Sequence, residues 1–350
     1  MGLVDKEKFR ATIIACNNCL GNQMSVTIYD IAKKLKTSPS TVSRVLNNSS
    51  LISNSTTTKI HEMARELGYE PRIIKRQQNR AIITIKLIVG PKNDHLLPIF
   101  YDFTDLISGI RAGAEGLRLN LAVEMNHENF NPFDHKKGGN MDGVVFAFTK
   151  PSESIYEDLS KRKIPNITIN RNLPTQDFVT CNNYLGVKEL VNQLQGKRDN
   201  LKICFLYLTP HNDISLERLN CLKKISAEQK LSFQNKDVIA IESLELINKD
   251  FFVNIKKKYN AIIAMNDVLA ITVLARASSF GFQIPKDFSL TGFDNSPVRN
   301  LLPQKVDTIS LPVSEIGFKV GQWIHYRIIQ KEQTVFQQEI TGVYQNGDTI

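Results

Sequence analysis

Two periodicities divide this chain. Before residue 80 apolar residues recur every three or four positions, whereas from Ile82 onward unbroken apolar runs alternate with stretches of that helical spacing. The runs Ile82–Gly90, Leu119–Met125, Met141–Phe148, Ile164–Asn170, Leu201–Leu208, Tyr259–Asp267 and Phe288–Asn295 predict strands buried on both faces, the pattern of parallel sheets. Helical spacing over Asp105–Leu117, Tyr184–Gln195, Ser215–Glu228 and Val268–Ser279 places helices between them. A βαβ series with open parallel sheets follows.

Ahead of it, Ile28, Ile31, Ala32 and Leu35 predict a helix over Ile28 to Leu35 with Thr27 as its cap. After the interruption Lys-Thr-Ser, the pair Ser38-Pro39 starts a second helix, Pro39 to Leu46, whose buried face is Val42, Val45 and Leu46. A third, capped by Ser55 and ended by Gly68, carries Ile60, Met63, Ala64 and Leu67. Three short helices with a tight first turn make a helix-turn-helix, in which the second helix enters a DNA major groove. Its outward positions are Pro39, Ser40, Ser43, Arg44 and Asn47, and the Arg44 guanidinium matches the two acceptors of guanine. A helical packing unit with exposed serines is the alternative.

Charge favours the nucleic-acid reading. Residues 24–80 hold ten Lys/Arg against four acids, so six of the net nine positive charges fall in a sixth of the 350-residue chain. At 42% hydrophobic the chain can bury a full core, yet no apolar run is long enough to span a bilayer. Five scattered cysteines suit a reducing compartment rather than a disulfide framework, and the pair Cys16 and Cys19 lacks further ligands for a metal. Neither a P-loop nor a nucleophile elbow nor a zinc-protease motif occurs, and the six histidines are dispersed, so an enzyme is not expected. No cofactor is expected either.

Open parallel sheets bind ligands beyond the carboxyl ends of their strands. The pairs Asn170-Arg171, Asn266-Asp267 and Asp294-Asn295 end three of the predicted strands, and a cleft there is the reading that uses all three. Helix caps or turns are the alternative for each pair. Phe100, Tyr101 and Phe103 are candidates for an aromatic wall, with core packing as the other possibility.

The run from Thr27 to Pro71, above all "SPSTVSRVLN" and "ARELGYEP", resembles the DNA-binding domain of the LacI/GalR family of bacterial transcriptional regulators. "MDGVVF", "IPNITINRNLP", "AMNDVLAITVLA" and "GFQIPKDFSLTGFDN" are similar to the family's effector-binding core, a two-lobed fold of the periplasmic-binding-protein type. The resemblance implies a small all-α helix-turn-helix domain followed by a two-lobed α/β domain of open parallel sheets. Pro39, Ser40 and Arg44 would face base edges, and Thr27, Tyr29, Ser38, Thr41, Ser43 and Asn47 would hold phosphates. Asn170, Arg218, Asn266 and Asp294 inherit effector-binding roles.

Departures are equally specific. Lys36 stands in the turn where the family carries glycine, and Cys221 replaces a glycine after Arg218. The hinge helix expected after Pro71 reads with Arg72, Lys75 and Gln78 in place of asparagine, alanine and the wedge leucine. Arg76 matches the family and is read with Arg72, Lys75 and Arg80 as a DNA-backbone contact.

The expected organisation is an extension over 1–23, disordered or preceding a start at Met24; the helix-turn-helix over 24–71; a hinge over 72–81; and the two-lobed domain over 82–350. Lobe 1 covers about 82–180 and 312–338, lobe 2 about 181–311 and 339–350. The expected protein is a cytoplasmic, homodimeric repressor of a carbohydrate-utilisation operon that binds a palindromic double-stranded DNA operator under control of a sugar. A solute-binding protein without DNA function, or a regulator responding to a purine or a phosphorylated metabolite, is the alternative.

Overall fold

The computed structural model describes residues 26–46, 52, 54–67, 69, 82–91, 102–126, 131–133, 141–209 and 213–350. Asn47, Arg76, Phe100, Tyr101, the extension, Cys16, Cys19 and the hinge lie outside the described residues. The chain divides into two compact units, residues 1–79 and 80–350.

In the first unit, helices α1 (Ile28–Lys34), α2 (Pro39–Leu46) and α3 (Asn54–Glu66) enclose Ile31, Ala32, Val42, Val45, Ile60 and Ala64. These are the apolar positions at helical spacing. One boundary differs from expectation: α3 begins at Asn54, so Ser55 lies inside its first turn and is not the cap. The α1–α2 turn closes with Lys36 N–H on the Lys33 carbonyl and Thr37 N–H on the Ala32 carbonyl, the paired bonds of a Schellman ending.

Lys36 occupies the left-handed position of that ending, with φ 50°. A side chain with a Cβ is disfavoured there by about 1–2 kcal/mol, while glycine loses more entropy on folding, by about 0.5–1 kcal/mol. Lys36→Gly is therefore expected to stabilise this unit by up to about 1 kcal/mol and to slow amide exchange in α1 and α2 about fivefold. Faster exchange in the variant would contradict the assignment of strain to this residue.

The larger unit contains two parallel sheets. The first runs β11-β5-β4-β3-β1-β2, from β1 (Ile82–Pro91), β2 (Arg118–Asn126), β3 (Gly143–Ala147), β4 (Asn166–Ile169), β5 (Asp177–Cys181) and β11 (Gln337–Ile340). The second runs β7-β6-β8-β9, from β6 (Ile203–Leu208), β7 (Val238–Ile241), β8 (Ala261–Ala264) and β9 (Ser289–Thr291). A two-stranded antiparallel ribbon of β10 (Thr308–Ser310) and β12 (Val343–Gln345) stands beside the second. Every strand pair within the two sheets is parallel, as unbroken apolar runs require. The chain passes between the sheets after β5, between β10 and helix α10 (Val313–Trp323), and after β11.

Helices α4 (Phe103–Gly113), α5 (Glu153–Lys161), α6 (Asn183–Gln195), α7 (Asp213–Glu228), α8 (Lys249–Lys258) and α9 (Asp267–Ser279) follow successive strands. The helix predicted over Asp105–Leu117 starts earlier because Asp102 caps it, accepting from Thr104 N–H at 2.7 Å. Phe103 opens that helix and packs on the main core, so the described part of the suggested aromatic wall serves packing. Across one face of the six-stranded sheet, α4 and α10 approach backbone to backbone. A Cβ at Gly113 would collide with the Phe318 carbonyl, and one at Gly321 with that of Ile110.

Candidate functional site

At the start of α2 three hydroxyls gather. Ser38 Oγ accepts from Thr41 N–H at 3.1 Å and lies 2.7 Å from Ser40 Oγ and 2.8 Å from Thr41 Oγ1. Ser38 therefore caps the helix, as its place before Pro39 predicts, and the cluster sits where free amides and the helix dipole favour an anion. Val42 and Val45 are buried in the three-helix core, while Ser40 on the same helix is exposed. Tyr29 is 67% exposed on α1, with Lys33 and Lys34 exposed one turn later. Thr27 gives both its hydroxyl, at 2.6 Å, and its amide, at 2.8 Å, to Asp30. Those two bonds hold the Asp30 carboxyl below its ordinary range.

In the larger unit two of the sequence candidates, Arg218 and Asp294, pair directly. Arg218, on α7, donates to Asp294 Oδ1 at 2.8 Å, Asn183 Oδ1 at 3.1 Å and the Met265 carbonyl at 2.6 Å, and stacks 3.7 Å over the Phe293 ring. The pair is buried, with side-chain exposures of 4% and 10%. Burial raises the Asp294 pKa and the Arg218 charge opposes it. Asn183, at the start of α6, is the partner that sequence reasoning missed. Its signal was the Asn182-Asn183 pair ending the run before that helix.

The strand ends carry unusual backbone. Asn170 (φ 53°), Asp294 (φ 113°) and Asn295 (φ 54°) all adopt positive φ without being glycine, a conformation maintained only where surroundings over-determine it and often found at ligand sites. Asn170 Oδ1 accepts from Thr180 at 3.3 Å. Asn266 behaves differently. Its Oδ1 accepts from Leu269 N–H at 3.0 Å, so it caps α9, which was the alternative reading of its motif.

Beside this cluster opens a cleft of about 610 Å³. Lys150, beyond β3, and Arg171 to Leu173, beyond β4, form one wall, and Asp213 to Lys224 of α7 form the other with Tyr184. Two contacts cross it: Lys150 Nζ to Asp213 at 2.7 Å, and Asn172 Nδ2 to Glu217 at 3.2 Å. Glu217 also accepts from Asn183 at 2.9 Å. A second hollow of about 490 Å³ is lined by Asp294, Asn295 and the start of α10. Thus Asp294 faces one hollow, while Arg171 and Glu217, the neighbours of Asn170 and Arg218, face the other. No cluster of metal-ligating side chains occurs among the described residues, and no helix there is long and apolar enough to cross a membrane.

Asp267 is a buried carboxyl at the start of α9, next to Asn266. Its carboxylate accepts from Ser296 N–H at 2.7 Å and Thr308 Oγ1 at 2.6 Å, yet burial, with the Asp294 charge, lifts its pKa to about 7. The folded protein thus keeps this proton at pH values where the unfolded chain, with an ordinary pKa of 3.8, has released it. Stability from this group is full below about pH 4 and declines as pH rises towards 7, by at most about 4 kcal/mol. Asp267→Asn is expected to flatten that decline in urea midpoints measured between pH 5 and 8. An unchanged slope would remove Asp267 as its source.

Comparison with known proteins places these features in context. The family model described as "Bacterial regulatory proteins, lacI family" matches residues 27–72, and "Periplasmic binding protein-like domain" matches residues 201–345. Catabolite control protein A of Priestia megaterium is 25% identical over 314 residues, covering 84% of this chain and 90% of that protein. The ribose operon repressor of Bacillus subtilis (strain 168) is 25% identical over 329 residues, covering 91% and 97%. Among solved structures, the lac repressor dimer bound to operator and the anti-inducer ONPF superposes with a TM-score of 0.60 at 17% identity, covering 93% of this chain and 99% of that one. The fold is a helix-turn-helix joined to a two-sheet module of the periplasmic-binding type.

Proposed function

Since the chain belongs to the lacI family of bacterial regulatory proteins, we propose that it is a ligand-responsive repressor that binds a palindromic operator as a homodimer. The observation that carries this reading is the union, in one chain, of a basic helix-turn-helix with a two-sheet module holding a polar cleft. Two α2 helices from symmetric protomers would occupy successive half-sites, so operator symmetry would mirror protein symmetry. Ser38 and Thr41 would take phosphates, and Ser40 and Arg44 would face base edges.

A sugar is the effector class we assign. Relatives named for catabolite control and for the ribose operon support that assignment, as do the amide, carboxylate and guanidinium groups of Asn170, Asn183, Asp294 and Arg218, which suit hydroxyls. Ligand between the sheets would favour one closure state, and operator affinity would shift by no more than the ligand's preference between states. We place the protein in the cytoplasm and assign it no catalytic activity. A solute-binding role without DNA leaves the helix-turn-helix unexplained.

The test is to expose fragmented DNA of the source genome to the purified chain at near-physiological salt, where phosphate-only binding is weak, and to sequence what is retained. Enrichment of a palindrome is expected. Uniform recovery, with and without candidate sugars, would overturn the regulator reading.

A further inference from the structure

The two walls of the cleft are not matched in charge. Both carboxylates that face it are engaged: Asp213 with Lys150 at 2.7 Å, and Glu217 with the amides of Asn172 and Asn183. Two cations face it with no carboxylate partner among the described residues. Half-buried Arg171 gives one N–H to the Asn170 carbonyl at 2.6 Å; burial lowers its pKa to about 10, against the charges of Asp213, Glu217 and Asp294, which raise it without pairing with it directly. Lys224 stands on the exposed side of α7 with its Nζ 4.9 Å from the Tyr184 ring centroid.

A guanidinium carries five N–H donors in a planar fork that matches the paired oxygens of an acid. Hydroxyls can accept those hydrogen bonds but bring no countercharge into direct contact with a partly desolvated guanidinium. An acidic group meets both needs. Ile214, Leu216 and the Tyr184 ring supply apolar wall for the ligand body, and a cleft of about 610 Å³ accommodates a single sugar ring with one such substituent.

We propose that the effector is a sugar-sized molecule bearing an acidic group, a phosphate or a carboxylate, and that Arg171 and Lys224 receive that group on the α7 side of the cleft. The proposal rests on the regulator reading and narrows it. Arg171 follows from its position beside the strained end of β4, while Lys224 adds a second positive charge on the α7 wall.

Calorimetric titration of the full chain tests it with four probes: D-glucose, D-glucose 6-phosphate, D-glucuronate and inorganic phosphate. The acidic sugars are expected to bind and D-glucose not to, with the ratio of phosphate ester to uronate deciding which acid the site takes. Arg171→Met should weaken the acidic probes by roughly 10- to 100-fold, the range for a hydrogen-bonded charge. Lys224→Met, on an exposed face, should weaken them by a smaller factor and guards against misfolding of the first variant. Binding of D-glucose at equal strength, or no response to either acidic sugar at 10 mM, overturns the proposal. Equal affinity in wild type and both variants overturns it as well. Retention of specific genomic fragments by the same preparation is scored separately, so an acid-binding failure is distinguishable from a failure of the regulator reading.

Discussion

Arg44→Ala is expected to abolish specific operator binding while leaving ligand binding intact. A bidentate arginine–guanine contact discriminates by about 1–3 kcal/mol, and a homodimer presents it twice. The combined loss of roughly 2–6 kcal/mol is about 30-fold to 10⁴-fold in affinity. Position 44 lies one turn beyond Ser40 on α2, and the core of this unit is formed by Ile31, Ala32, Val42, Val45, Ile60 and Ala64, so its loss should not disturb that core. Mobility-shift titrations with the enriched palindrome and with a scrambled duplex separate the outcomes. Loss confined to the palindrome identifies base reading, because phosphate contacts weaken both duplexes alike. A variant that binds the palindrome as tightly as wild type would sink the assignment.

The second large effect belongs to Arg218. Arg218→Ala strips Asp294 of its ion pair inside the protein and leaves Asn183 Oδ1 and the Met265 carbonyl without their donor. Breaking one side of a buried pair costs about 3–5 kcal/mol, since the stranded charge has neither water nor partner. The larger unit should therefore unfold at a markedly lower urea concentration at pH 7. Because burial already raises the Asp294 pKa, acidification lets the stranded carboxyl take up a proton, and the deficit should narrow by pH 5. Arg218→Ala combined with Asp294→Asn should recover part of the loss at pH 7. A double variant less stable than Arg218→Ala alone would show that the pair is not the source.

Much of this protein was legible before any coordinates. Ile28, Ile31 and Ala32, then Val42 and Val45, fix two helices by spacing alone, and Ser38-Pro39 marks a start that needs no tertiary context. The seven long apolar runs became strands because parallel strands covered on both faces leave an uninterrupted record. Five strands were not foreseen: β5, β7, β10, β11 and β12. In β5, Asp177 and Thr180 interrupt the apolar pattern, while β10, β11 and β12 have only three or four residues each and are ordered by their neighbours.

The candidate site was legible in type and less so in partnership. Asp294 and Arg218 were singled out separately, 76 residues apart, and only the fold shows that they answer one another. Asn183 and Glu217 carried weaker marks because a polar residue in a helix is ordinarily a solvated one. The residue types around Asn266 suit both a helix cap and a ligand contact, and the bond from Leu269 N–H shows the cap, which uses Oδ1. Lys36 is the reverse case: its strained turn was visible as a missing glycine.

The backbone contact between α4 and α10 bears on how a signal could leave the cleft. Where helices meet through interlocked side chains, that side-chain layer accommodates small sliding of one helix past the other. Gly113 against Phe318 and Gly321 against Ile110 leave no such layer. The pair acts as a rigid coupling, stiff in compression and unable to slip without lifting one helix clear of the other. A movement forced on the carboxyl ends of the first sheet is then not dissipated within it. At the opposite end of that sheet, β1 begins with Ile82.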